Sequence, residues 1–130
     1  MRWFETNEQQ IRFFSGVSEQ LQLQMLYESI DELNKGSTAM AELEAAWEKG
    51  DDRALAQEMV AEMARDYPEL HEILLKKRNA AWADVLAREM AGSGVDFVAV
   101  GAAHLAGPDS VQSMLRARGF TVARLTPQPY

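Results

Sequence analysis

Phe97-Val98-Ala99-Val100-Gly101-Ala102-Ala103-His104-Leu105-Ala106-Gly107-Pro108 is the stretch on which the fold turns. An apolar run that begins at Val95 delivers a glycine and then a histidine to its end, and Gly-Pro opens a new element. Near-continuous apolar character over residues 95–100 is the pattern of a strand buried on both faces, as in a parallel sheet. Residues 108–118 then suit a helix with Val111, Met114 and Leu115 inward. Pro108 fits its opening, Asp109 its first turn, and Gly119 its end. Residues 120–125 read as a second strand and residues 126–130 as a short tail. Strand, helix, strand at this spacing is a minimal right-handed crossover unit.

Upstream of that unit the periodicity is helical. Residues 17–34 carry Val17, Leu21, Met25, Leu26, Ile30 and Leu33 at amphipathic spacing, ended by Asn34-Lys35-Gly36. A second helix follows over residues 37–49, with Met40, Leu43, Ala46 and Trp47 inward. Gly50 ends it, and Asp51 or Asp52 can cap a third helix with the stripe Leu55, Met59, Met63. Asp66-Tyr67-Pro68 breaks that helix, and Pro68 starts the longest one, over residues 68–91. The expected fold is therefore α/β and predominantly helical: four helices, then a strand-helix-strand unit with a small parallel sheet. Two strands leave hydrogen-bonding edges open, so another chain or segment is expected to complete the sheet. A homo-oligomer, most simply a dimer, follows from that edge and from the aromatics Trp3, Phe4, Phe13 and Phe14 near the start.

At 130 residues the chain fits one domain, and 47% hydrophobic residues supply a real core. Thirteen Lys and Arg against twenty Asp and Glu give a net charge of -7, which argues against a nucleic-acid partner. With no cysteine, thiolate catalysis and thiolate metal sites are excluded. No leader-like segment or long apolar run occurs, so a cytoplasmic location without a membrane span is expected of the sequence as written.

The chemistry-bearing residues are few. His104 falls just after the first expected strand, where open α/β units form their ligand crevice, and neutral imidazole can ligate a metal or act as a base near pH 7. On the long helix Arg78 lies one turn after Leu74 and one turn before Trp82, on or beside the apolar face. With Asn79 it could counter charge on a reacting oxygen. Glu5 and Glu8, with Gln9, are carboxylate and amide candidates, although Thr6 followed by Glu8 and Gln9 also suits a capped first turn. His71, between acidic residues near a helix start, reads as solvated, and Trp82 reads as core.

Laid out in order, Glu5-Thr6-Asn7-Glu8-Gln9-Gln10, Trp47-Glu48-Lys49-Gly50-Asp51, Arg78-Asn79-Ala80-Ala81-Trp82 and the stretch from Val100 to Val111 resemble the C-terminal half of the TraB/GumN family, related to the TIKI metalloproteases. Gly119-Phe120-Thr121-Val122 also falls in the expected order. The resemblance implies a metal-dependent, peptidase-like hydrolytic site. In it His104 belongs to one of two Gly-x-x-His motifs, Glu5 is the family's acidic residue, and Arg78 and Asn79 are its Arg-Asn pair. His104 and Glu5 would then ligate a divalent metal ion of open identity. The other Gly-x-x-His, expected ahead of the Glu-Thr segment, has no counterpart here. The expectation is a chain incomplete relative to full-length relatives, some of them exported or membrane-associated. It would be inactive or only partly competent alone, with a non-catalytic helical scaffold or oligomerisation module as the alternative.

Overall fold

The computed structural model describes residues 2–125 and is helical throughout its regular elements. Helix α1 (Asn7–Ser15) starts at a capping box. The Thr6 hydroxyl accepts from the Gln9 amide, and the Gln9 side chain accepts from the Thr6 amide. Helix α2 (Glu19–Lys49) is broken at Gly36, whose φ of 75° and ψ of -171° no helical residue adopts. The two helical stretches expected on either side of Asn34-Lys35-Gly36 are both present, as two arms of α2 that meet at this kink. Asp51 caps α3 (Asp52–Leu55), which widens into a π-helical stretch over Ala56–Ala61 and continues as α4 (Glu62–Asp66). Pro68 occupies the first turn of α5 (Pro68–His71). A π-helical stretch, Glu72–Lys76, joins α5 to α6 (Lys77–Met90), so the long fourth helix of the sequence pattern is present. After it come a 3₁₀ turn, Ala102–Leu105, and α7 (Val111–Ala117).

The α/β expectation is wrong. Among the described residues there is no strand, and no backbone hydrogen bond joins residues 95–100 to residues 120–125. Val95 and Phe97 are almost fully exposed, although their run was expected to be buried on both faces. Apolar and β-branched residues favour a strand only where neighbouring backbone and packed faces exist, and an isolated pair of strands is marginal. Here α7 packs instead on α6, with Val111 and Leu115 set one turn apart against Trp82 and Ala83. Among the described residues no sheet edge therefore exists for a second chain or segment to complete, and the oligomer inferred from one falls with it. Part of its other support also goes, because Phe4 packs against the Trp82 cluster. The tail expected at residues 126–130 lies outside the described residues.

Two apolar clusters hold the helices. The first joins Leu55, Val60, Leu75 and Ala106, with Leu43, Ala46, Met59 and Met63 around them. The second joins Trp82, Ala83, Val111 and Leu115, with Phe4, Leu86 and Val100. The loop carrying His104 runs between the two, because Ala106 belongs to one and Val111 to the other. Gly107 makes that passage feasible: its φ is 78°, and a Cβ there would lie 3.2 Å from Val60 Cγ1. Gly107→Ala is expected to destabilise the chain by roughly 1–2 kcal/mol in urea unfolding, since both the backbone conformation and the contact resist a side chain. The inward stripe expected of residues 37–49 is only half realised. Leu43 and Ala46 join the core, but Met40 and Trp47 are exposed.

Candidate functional site

Glu5, Arg78, Asn79 and His104 come from three distant segments and meet around Trp82. Arg78 projects from α6 toward the segment before α1. Its Nε donates to Glu5 Oε1 and its Nη2 to Glu5 Oε2, both at 2.8 Å, a planar two-point pair that only a guanidinium can make with a carboxylate. The Glu5 side chain is 8% exposed and that of Arg78 17%, so this pair is largely withdrawn from water. The remaining Arg78 amine, Nη1, donates to Leu74 O at 2.9 Å. The guanidinium carbon lies 5.1 Å from the Phe13 ring centre and 5.0 Å from that of Trp82. Trp82 Nε1 also donates to Glu5 Oε1, at 3.1 Å. Helical spacing explains half of this, since Arg78 and Trp82 are one turn apart on α6.

Asn79, the next residue on α6, is buried and faces the His104 loop. Its Nδ2 donates to the backbone carbonyl of Asp109 at 2.8 Å, which fixes the amide with Oδ1 toward His104. Only a protonated ring nitrogen can answer that oxygen. His104 Nδ1–H therefore donates to Asn79 Oδ1 at 2.5 Å, and the neutral imidazole keeps its lone pair on Nε2. The imidazole leans on Trp82, ring centres 4.3 Å apart, and Phe4 stacks on the indole at 5.1 Å. Burial pushes the His104 pKa down from 6.5 to about 4. The Arg78 charge adds to the effect and the Glu5 charge opposes it.

The other sequence candidates are elsewhere. Glu8 forms an exposed pair with Arg12, and Gln9 serves the α1 cap. His71, expected to be solvated, is buried. Its Nε2 has no hydrogen-bond partner and lies 3.8 Å from Asp109 Oδ2. The central role of Trp82 was also missed. The signal for it was the Arg78-x-x-x-Trp82 spacing, but an indole at such a position is ordinarily just core.

The expected metal site does not fit these residues. A divalent ion would need the Glu5 carboxylate, whose two oxygens already accept from Arg78 and Trp82. Among the described residues no three of His, Asp and Glu gather as a ligand set. The metal-binding, metalloprotease-like character expected of His104 and Glu5 is corrected accordingly. As a general base His104 is also poorly matched to neutral pH, because a group with a pKa of about 4 holds protons weakly there.

What the fold and site define is a helical domain with a buried polar cluster clasped between its N-terminal segment, its long helix and a glycine-bounded loop. The model of the TraB/PrgY/gumN family matches residues 1–124, and the chain belongs to that family. No curated protein and no solved structure matches it. No helix among the described residues is long and apolar enough to cross a membrane.

Proposed function

We propose that residues 1–130 act as one non-catalytic helical scaffold, an interaction domain of the TraB/PrgY/gumN type. In this reading Glu5, Arg78, Asn79, Trp82 and His104 form a structural clasp. The observation that carries it is the Glu5 carboxylate. Both of its oxygens are held by Arg78 in a buried pair and one also by the indole, so the group most needed as ligand or base is already engaged. Freeing it would strand a guanidinium among Phe13 and Trp82 with only the Leu74 carbonyl to answer it. Asn79 supports the same reading, because it ties His104 to the Asp109 backbone and holds the imidazole in one orientation.

Equilibrium dialysis with Zn²⁺ and Mn²⁺, run beside hydrolysis of a peptide panel, tests this directly. Wild type, Glu5→Gln and His104→Ala are expected to take up metal equally and to leave the peptides intact, while both variants unfold at lower urea. Metal uptake that depends on Glu5 and His104, together with metal-dependent cleavage, would overturn the scaffold reading in favour of a working hydrolytic site.

A further inference from the structure

Helix α2 is the longest element, and several of its large apolar side chains are exposed. Along its first arm Leu23, Leu26, Ile30 and Leu33 recur at intervals of three and four residues, and all four are exposed. Such spacing places them on one face, where an amphipathic helix ordinarily meets its cover. The break at Gly36 turns the second arm so that a groove of about 630 Å³ opens across the kink. Leu33, Ala39, Met40 and Leu43 supply its apolar floor and Glu28 and Glu32 its acidic margin. Leu33 and Met40, 80% and 67% exposed, are the large apolar side chains in it that stand most open. Leu33 belongs to both the stripe and the groove, and exposed apolar surface of this kind is the mark of a docking site.

Charge decides what kind of partner fits. Residues Glu19–Lys49 carry seven carboxylates and two lysines, within a chain whose net charge is already -7. A second copy would set acidic helix against acidic helix, and an anionic bilayer or a nucleic acid would be repelled in the same way. A helix with an apolar stripe and basic flanks satisfies both features at once. Its stripe lies against Leu33 and Met40 while its lysines or arginines face the net negative charge that α2 carries as a whole. We propose that the kinked face of α2 binds a basic amphipathic helix of a partner protein. The inference rests on the scaffold reading and supplies its partner class.

The test uses the full chain and two fluorescent peptides of equal length. One has leucines at helical spacing with lysines elsewhere, and the other has the same leucines with glutamates. Anisotropy titration at low salt is expected to show binding of the lysine peptide at least 10-fold tighter than of the glutamate peptide, weakening as salt rises. Leu33→Ser/Met40→Ser keeps every charge and is expected to lose at least 10-fold in affinity for the lysine peptide, with the urea midpoint unchanged because both side chains are exposed. Equal binding by wild type and this double variant would overturn the proposal, since attraction would then be charge alone. So would concentration-dependent self-association that the double variant abolishes, or binding to phosphatidylserine vesicles through the same residues. Failure here with an inert, metal-indifferent chain removes only the docking face, whereas metal-dependent cleavage removes the scaffold reading whatever the peptides do.

Discussion

Replacing Arg78 with methionine is expected to lower the unfolding free energy by about 3–5 kcal/mol, the loss typical when one partner of a buried ion pair is removed. Methionine keeps the stem and its packing but deletes the donors. The Glu5 carboxylate, 8% exposed, would then retain only the Trp82 N–H as a side-chain donor. Leu74 O would lose its side-chain donor as well. Glu5→Gln is the gentler change, because the amide oxygen can still accept from Arg78 and the charge left without its partner is the more exposed of the two, 17% against 8%, and keeps the Leu74 carbonyl. About 1–3 kcal/mol is expected for it. The double variant should lose less than the sum of the two, a coupling that urea titration of all four proteins would measure. Arg2 and Glu89 make an equally short two-point pair at the surface, with Arg2 74% exposed. Arg2→Met is the control, with no measurable loss expected. Equal effects at Arg78 and Arg2 would contradict a buried clasp.

Acid should loosen the same clasp through His104. Its folded pKa, about 4, lies below the 6.5 of an unperturbed imidazole. Between those values the unfolded chain takes up a proton that the folded chain refuses, so protonation favours unfolding. The stabilising effect is complete above pH 6.5 and declines as pH falls toward 4, by up to about 3 kcal/mol in total. The cause is burial against Trp82 and the nearby Arg78 charge, while Glu5 partly offsets them. Acid also acts on the chain through groups other than His104. The informative quantity is therefore the difference between wild type and His104→Gln, which keeps polarity but cannot take a proton. Identical pH profiles for the two proteins would show that the imidazole is not held neutral by its surroundings.

Much of the helical part was legible in the residues because its signals are local. Thr6 with Gln9, Asp51 before α3, Pro68 in the first turn of α5 and Gly36 at the break of α2 each act within one turn of their own position. The residue types of the cluster were legible too. Glu5, Arg78, Asn79 and His104 stand in the family motifs, and they do come together. Their chemistry was not legible. A glutamate reads the same in sequence whether it is open to a metal or clasped by an arginine 73 positions away, and only the meeting of α6 with the N-terminal segment makes it the second. Residues 95–100 misled for a related reason: their hydrophobicity was taken as burial in a sheet, and no neighbouring backbone is there to form one.

By itself, then, the order of residues determined where helices begin, bend and stop, and which family the chain resembles. Capping, proline geometry and helical spacing all operate over three or four residues, so neighbours along the chain suffice to set them. Tertiary structure decided that the apolar run stays outside any sheet, that His71 is buried, and that Trp82 joins Glu5, Arg78 and His104 in one cluster. Those outcomes depend on desolvation and on hydrogen bonds between segments far apart in the chain, which exist only once α6, α7 and the N-terminal segment have packed.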